Sequence, residues 1–334
     1  MRNRGCLLAG VFALVGLSVP LIARADAAAD LAAIEHGHLP TAVEFLGWGA
    51  DGTGFARSTV CMHSGATRCV VQFYRLAPGH DPVVTTVLET SALDDCHGHW
   101  NHCEGLTPQM RAQFVAADAR ALAALPPHTT TPAVPTPTAA FGSIASGPIV
   151  LRIHSSAHDL EDAPVTLQLV DSHGIAESVA TIDRTDFVLH DTIPEVRLSP
   201  DGRRAFIVAA YEEHSTEMRE STVVPTVIDV SRARAVLVNT LGFRAYRAAD
   251  LPGALTLFRE ATTIDPTFAL GWYNRASVEA RTGDATSAVA SLARVASLDA
   301  AQAHHACVDH DFDTVRAHGG FAASASCAGA STVH

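Results

Sequence analysis

The densest set of chemistry-bearing side chains is Asp94-Asp95-Cys96-His97-Gly98-His99-Trp100-Asn101-His102-Cys103-Glu104, with three histidines, two cysteines and three carboxylates in eleven residues. Imidazole and thiolate are zinc and copper ligands, so His97, His99 and His102 form a candidate metal site. The two thiols can instead close a disulfide, and in an exported protein cysteines usually pair. Both readings compete for Cys96 and Cys103, but the three histidines stay available beside an intact bridge. The disulfide carries the greater weight, so the expectation is no cofactor. A metal at His97, His99 and His102 is the alternative. His304, His305 and His310 make a second, looser group.

Organised catalysis leaves little trace. There is no G-x-S-x-G elbow, no H-E-x-x-H, no P-loop and no G-x-G-x-x-G. Glu212-Glu213 could pair as carboxylates, but adjacent strand residues point to opposite faces, which favours a solvated turn. The chain therefore reads as a non-enzyme. The rival is a metal-binding protein or metal-dependent enzyme built around Cys96–Cys103.

The N-terminus has the form of a secretory leader over residues 1–25. Arg2 and Arg4 precede an uncharged run from Gly5 to Ala23, and Ala23-Arg24-Ala25 offers the small-x-small cleavage pattern. A periplasmic or secreted location follows. No later stretch is apolar enough to span a bilayer, so no membrane insertion is expected after cleavage. Removing residues 1–25 takes away three arginines and no acid, moving the formal charge from −12 to −15. That sign repels nucleic-acid phosphate, and nucleic acid is excluded as a partner. Six cysteines remain: Cys61, Cys69, Cys96, Cys103, Cys307 and Cys327. Proximity favours pairing 61–69, 96–103 and 307–327, each stabilising by about 2.5–3.3 kcal/mol in the chain-entropy model.

Around these groups the chain alternates short strands and turns. Strands are predicted at Ala42–Trp48, Gly54–Met62, Cys69–Leu76 and Pro82–Leu88, followed by a helix from Thr107-Pro108 to Leu125. Residues 26–125 thus form a β-rich region ending in a helix. Residues 126–147 are rich in proline and threonine and read as an extended, mobile linker or surface loop. Strands resume over 148–230, at Pro148–His154, Pro164–Val170, Phe187–Leu189, Glu195–Leu198, Ala205–Tyr211 and Val223–Val230, in what reads as the same domain. Phe45–Ala56 and Val196–Ile207 share a pattern of strand, Asp-Gly turn and apolar strand. This pattern resembles the inner hairpin of a β-propeller blade. The expected fold class is α+β multidomain: an N-terminal all-β domain, propeller-like or sandwich-like, followed by an α-helical repeat module.

That module rests on a spacing of 34. Gly242 recurs as Ala276, Asp250 as Asp284, Ala254 as Ala288, Phe258 as Leu292 and Asp265 as Asp299. Small residues at this period let antiparallel helices approach, and large ones fill the gaps between. The pattern resembles the tetratricopeptide repeat family over about Ala235–Gln302, within a module spanning 231–320, with a tail at 321–334. The predicted helices are Ala233–Ala248, Pro252–Ile264, Ala269–Arg281 and Ala285–Leu298. Arg275, Val295 and Ala300 depart from the family pattern. Asp309–Arg316 resembles the short helix that caps such arrays. Two repeats are few, so the β domain is expected to pack against the first. The resemblance implies a concave face that binds an unidentified protein or peptide through Asn239, Phe243, Tyr246, Arg247, Tyr273, Ser277 and Arg281.

Overall fold

A computed structural model describes residues 41–63, 67–89, 108–131, 134–135, 141–155, 165–182, 187–189, 195–214 and 219–327. Antiparallel sheets occupy the N-terminal part and helices the C-terminal part. In the first sheet β1 (Thr41–Gly49), β2 (Gly54–His63), β3 (Thr67–Leu76) and β4 (Val83–Glu89) run in the order β4-β3-β2-β1. Helix α1 (Pro108–Ala123) follows, and β5 (His128–Thr129) then pairs with β1. β6 (Val134–Pro135) belongs to the second sheet. β7 (Ile149–Ser155), β8 (Val165–Asp171) and β9 (Ala176–Ile182) make a separate three-stranded sheet. The second sheet is completed by β10 (Phe187–Leu189), β11 (Glu195–Leu198), β12 (Arg204–His214) and β13 (Arg219–Asp229). β12 pairs β13 along its length, and its other edge pairs β11 and β10. Among the described residues these sheets close neither a barrel nor a propeller.

The second sheet is the middle layer, and its central strand shows why. Alternate residues of a strand face opposite sides. Ala205 and Ile207 lie in a core shared with Leu167 and Leu169 of β8 and with the first helices, whereas Phe206 and Val208 lie in a core with Val43, Phe45 and Trp48 of β1. An apolar run such as Ala205–Ala210 suits a strand buried on both faces. In β1 the pairing shifts between Phe45 and Gly47. This bulge lets Trp48 share a face with Val43 and Phe45, against strict alternation.

The two similar hairpins meet in space. The Phe45 and Phe206 rings lie 4.6 Å apart, and the Arg204 guanidinium donates to the Asp51 carbonyl. Their turns have the same construction. Asp51 Oδ1 accepts from Thr53 N at 2.9 Å and Asp201 Oδ1 from Arg203 N at 3.1 Å. Gly52 and Gly202 hold φ of 76° and 67°, a region glycine enters without steric cost. Hydrogen bonding from Thr53 holds the Asp51 carboxyl below the usual range.

The helical module comprises α2 (Ser231–Arg247), α3 (Leu251–Ile264), α4 (Ala269–Arg281), α5 (Ala285–Leu298) and α6 (Ala300–His305). A 3₁₀ turn at His310–Phe312 and α7 (Phe321–Ser324) follow. Corresponding positions do the same work. Asp250 caps α3 through Gly253 N, and Asp284 caps α5 through Ser287 N, with near-identical backbone angles. A Cβ on Gly242 would stand 2.7 Å from the Phe258 ring, so α2 and α3 approach only across a glycine. Ala254, Ala276 and Ala288 are fully buried. α2, α3 and Phe268 share the core of the second and third sheets, so the first helix pair packs on β structure. Arg275 stacks on Trp272, 5.0 Å away, and pairs with Glu279 at 2.8 Å. Glu279 is fully buried and also accepts from Ser291 Oγ at 2.7 Å.

Several expectations need correction. β9 has no counterpart in the predicted strands. Glu212 and Glu213 are not in a turn, because β12 continues through His214 and pairs them with Ser221 and Glu220. His128–Thr129 pairs with β1 of the first sheet and Val134–Pro135 with β11 of the second, and Thr131 takes the Trp48 indole N–H at 3.1 Å and, through its carbonyl, Arg197 Nη1 at 2.8 Å. Asp309–Arg316 is one 3₁₀ turn followed by turns, and the cap runs past 320, because Phe321 is buried against Phe312 and Val315.

Candidate functional site

α2 and α4 lie side by side, joined by Asn274 Nδ2 donating to Asn239 Oδ1 at 2.9 Å. Helical spacing puts Asn239, Phe243 and Tyr246 on one stripe and Tyr273, Ser277 and Arg281 on another. Four of these six line one cavity, and Arg281 stands beside it. Phe243 and Tyr246 stack with ring centroids 6.0 Å apart, and the Arg281 guanidinium sits 5.0 Å above the Tyr246 ring. A cavity of about 160 Å³ is lined by Phe243, Tyr246, Tyr273 and Ser277 together with Phe258, Asn274, Asp309 and Asp311. Asn239 and Ser277 are buried, and Phe243 remains 45% exposed. Arg247 is exposed on the last turn of α2 and is not part of the lining.

The polar side of this cavity comes from the cap. Tyr246 donates its hydroxyl to Asp311, at 2.7 and 2.6 Å from the two oxygens, and Tyr273 donates to Asp309 Oδ2 at 2.7 Å. Burial, then the hydrogen bond to Asp309, pushes the Tyr273 phenol far above its ordinary range. Burial and Asp311 raise Tyr246 as well. Both phenols therefore stay protonated and act as donors. The cap is anchored from behind. Phe312 is fully buried, its ring 5.6 Å edge-on from Tyr273, and Thr314 Oγ1 donates to the Ala280 carbonyl at 3.0 Å. A Cys307–Cys327 disulfide with Cα atoms 5.8 Å apart closes the far end.

The remaining sequence candidates fall elsewhere. Cys96, Cys103, His97, His99 and His102 lie outside the described residues. Cys61 and Cys69 are directly opposite in the β2–β3 ladder, but their side chains lie outside what is described. Among the described residues no three His, Cys, Asp or Glu side chains gather as metal ligands, and His304 instead hydrogen-bonds the Ser326 carbonyl. Two wider clefts exist. One of about 380 Å³ lies between the two Asp-Gly turns. One of about 460 Å³ has Arg203, Arg204 and Arg232 facing Asp201, Asp229 and Asp265.

Sequence reasoning missed Asp309 and Asp311 as part of this face. They were visible only as capping residues, although two aspartates flanking one position ahead of a buried phenylalanine were there to be read. No protein-family model, curated protein or solved structure is similar enough to the chain to count as a match. Function therefore rests on the chain's own geometry.

Proposed function

We propose that this is an exported protein, periplasmic or secreted, whose tetratricopeptide-like module binds a segment of another protein and performs no catalysis. The observation that carries this reading is the open face of α2 and α4. There an exposed aromatic, Phe243, stands beside a side-chain-sized cavity bounded by hydroxyl, amide and carboxylate groups. Exposed aromatic anchors beside a pocket are where interface energy concentrates. Equivalent caps at Asp250 and Asp284 and equivalent crossings at Ala254 and Ala288 support the repeat relationship. The β sheets act as the platform on which the first repeat is seated.

Capture from the native envelope fraction on immobilised mature protein tests this. The Phe243→Ala variant should keep its thermal midpoint, because the side chain is half exposed, and should lose the captured protein. Retention equal to the unaltered protein would remove this face from consideration.

A further inference from the structure

We propose that the cavity between α2, α4 and the cap receives a basic side chain, Arg or Lys, carried on an extended segment of the partner protein. This rests on the protein-binding reading above and adds the chemistry of the partner to it.

The face taken without its cap would offer mainly donors: the Tyr246 and Tyr273 hydroxyls and the guanidinium of Arg281. Such a face suits a carboxylate. The cap reverses that polarity. Asp309 and Asp311 fold back onto the tyrosines and consume their hydroxyl protons. A carboxylate has about four lone-pair sites, so the phenol on Asp311, and the phenol and the Asp311 N–H on Asp309, leave acceptor capacity on each. What borders the cavity is therefore acceptor and negative. Neutralisation is incomplete. Arg281 is 4.0 Å from Asp311 and 42% exposed, a loose pair. Arg316 spends Nη2 on the Asp309 backbone carbonyl and Nη1 on Asp313, not on the Asp309 carboxylate. Two carboxylates thus face one guanidinium.

Size and lining narrow the ligand further. A void of about 150 Å³ admits a benzene-sized group, so about 160 Å³ admits one side chain and no helix. The rings of Phe258 and Phe243 form an apolar wall, and the carboxylates lie on the cap side. Arg and Lys have that profile, with a methylene stem that packs on apolar surface and a charged tip that seeks carboxylate. The acidic net charge of the chain draws basic partners at long range.

The test uses the full mature chain with its disulfide intact and an arrayed library of short peptides with a randomised centre. Binding peptides should be enriched in Arg or Lys at one position. Affinity for them should fall at least about tenfold in the isosteric double variant Asp309→Asn, Asp311→Asn, which keeps an acceptor for each phenol. Arg281→Gln removes the competing cation and should tighten the same peptides a few-fold, an outcome misfolding does not produce. Selected peptides that are neutral or acidic, yet lost in Phe243→Ala, would overturn the basic-ligand assignment and leave the binding face standing. Selection of no peptide would count against the protein-binding reading itself. Basic peptides whose affinity ignores both charge variants would sink the inference alone.

Discussion

The sheets and the helical module draw their stabilising partners from different distances along the chain. In the module Asp250 caps through a residue three positions on, and Arg275 pairs with Glu279 one turn later. In the sheets Arg57 finds Asp118 across 61 residues, Trp48 finds Thr131 across 83, and Arg204 reaches Asp51 across 153. The first kind of contact forms wherever the local helix forms. The second exists only once distant segments are already placed, so it reports on the assembled layers. The cap stands between the two cases. It belongs to the helical module, but Asp311 reaches Tyr246 across 65 residues.

The sharpest test of that contrast is the buried pair. Arg57 and Asp118 are each 4% exposed and 2.9 Å apart, and this pair ties α1 to the first sheet. Asp118→Ala should destabilise the β part by about 3–5 kcal/mol, because the buried Arg57 loses one of its partners, a charged one. Replacing both residues with apolar ones of similar volume should cost far less, and urea titration of the single and double variants checks this. Equal losses would mean that the pair itself, rather than the charge left behind, sets the stability.

Next in size is the disulfide. Cys307 and Cys327 are 20 residues apart, which corresponds to about 3 kcal/mol of loop entropy. Cys327→Ser should lower the melting of the helical module and leave the β sheets' hydrogen-exchange protection unchanged. A uniform loss of protection would show that sheets and helices unfold as one unit, as their shared core allows.

Ala288→Leu should cost about 1–3 kcal/mol, since Ala288 is fully buried at a helix crossing, while Thr286→Leu on the exposed side of α5 should stay within about 0.5 kcal/mol. Thermal melts of the two variants decide whether the 34-residue register is right. Tyr273→Phe removes one hydrogen bond to a carboxylate and should cost about 1.5 kcal/mol. The phenols of Tyr246 and Tyr273 are raised on folding. A raised folded value means their stabilisation is complete below about pH 10, the unfolded tyrosine value, and is lost as pH climbs above it. Phenolate absorbance should therefore develop for these two only at higher pH than in the denatured chain, and early ionisation of both would contradict their bonding to the cap.

The smallest effect compares the repeats directly. Ala249 and Gly283 stand 34 residues apart with φ of 61° and 80°. Ala249→Gly should relieve up to about 1 kcal/mol of left-handed strain, and Gly283→Ala should introduce a similar cost. Opposite shifts in melting temperature check the equivalence.

Legibility followed the same division. α4 and α5 have the bounds read from caps and periodicity, because Asp284 and the apolar spacing act within a few residues. The hairpins were readable from their Asp-Gly turns, which act locally too. β9 escaped because the strand signal in Ala176–Ile182 is weak and its pairing partner β8 defines it. The bulge at Phe45–Gly47 escaped because only the β2 register creates it. At the candidate face, Tyr246, Tyr273 and Ser277 came from the resemblance to the repeat family, whereas the carboxylates that set its charge did not.

Alone, the amino-acid sequence determined the α and β halves, most of the helix ends and the acidic charge. Each of these depends on interactions within a few residues or on composition alone. Tertiary structure decided the rest. It made the second sheet a middle layer, paired His128–Thr129 and Val134–Pro135 with different sheets, and laid Asp309 and Asp311 on the tyrosines. The reason is physical: charge at a surface depends on which groups meet there, and Asp311 meets Tyr246 where the buried Phe312 seats the cap on α4 and α5.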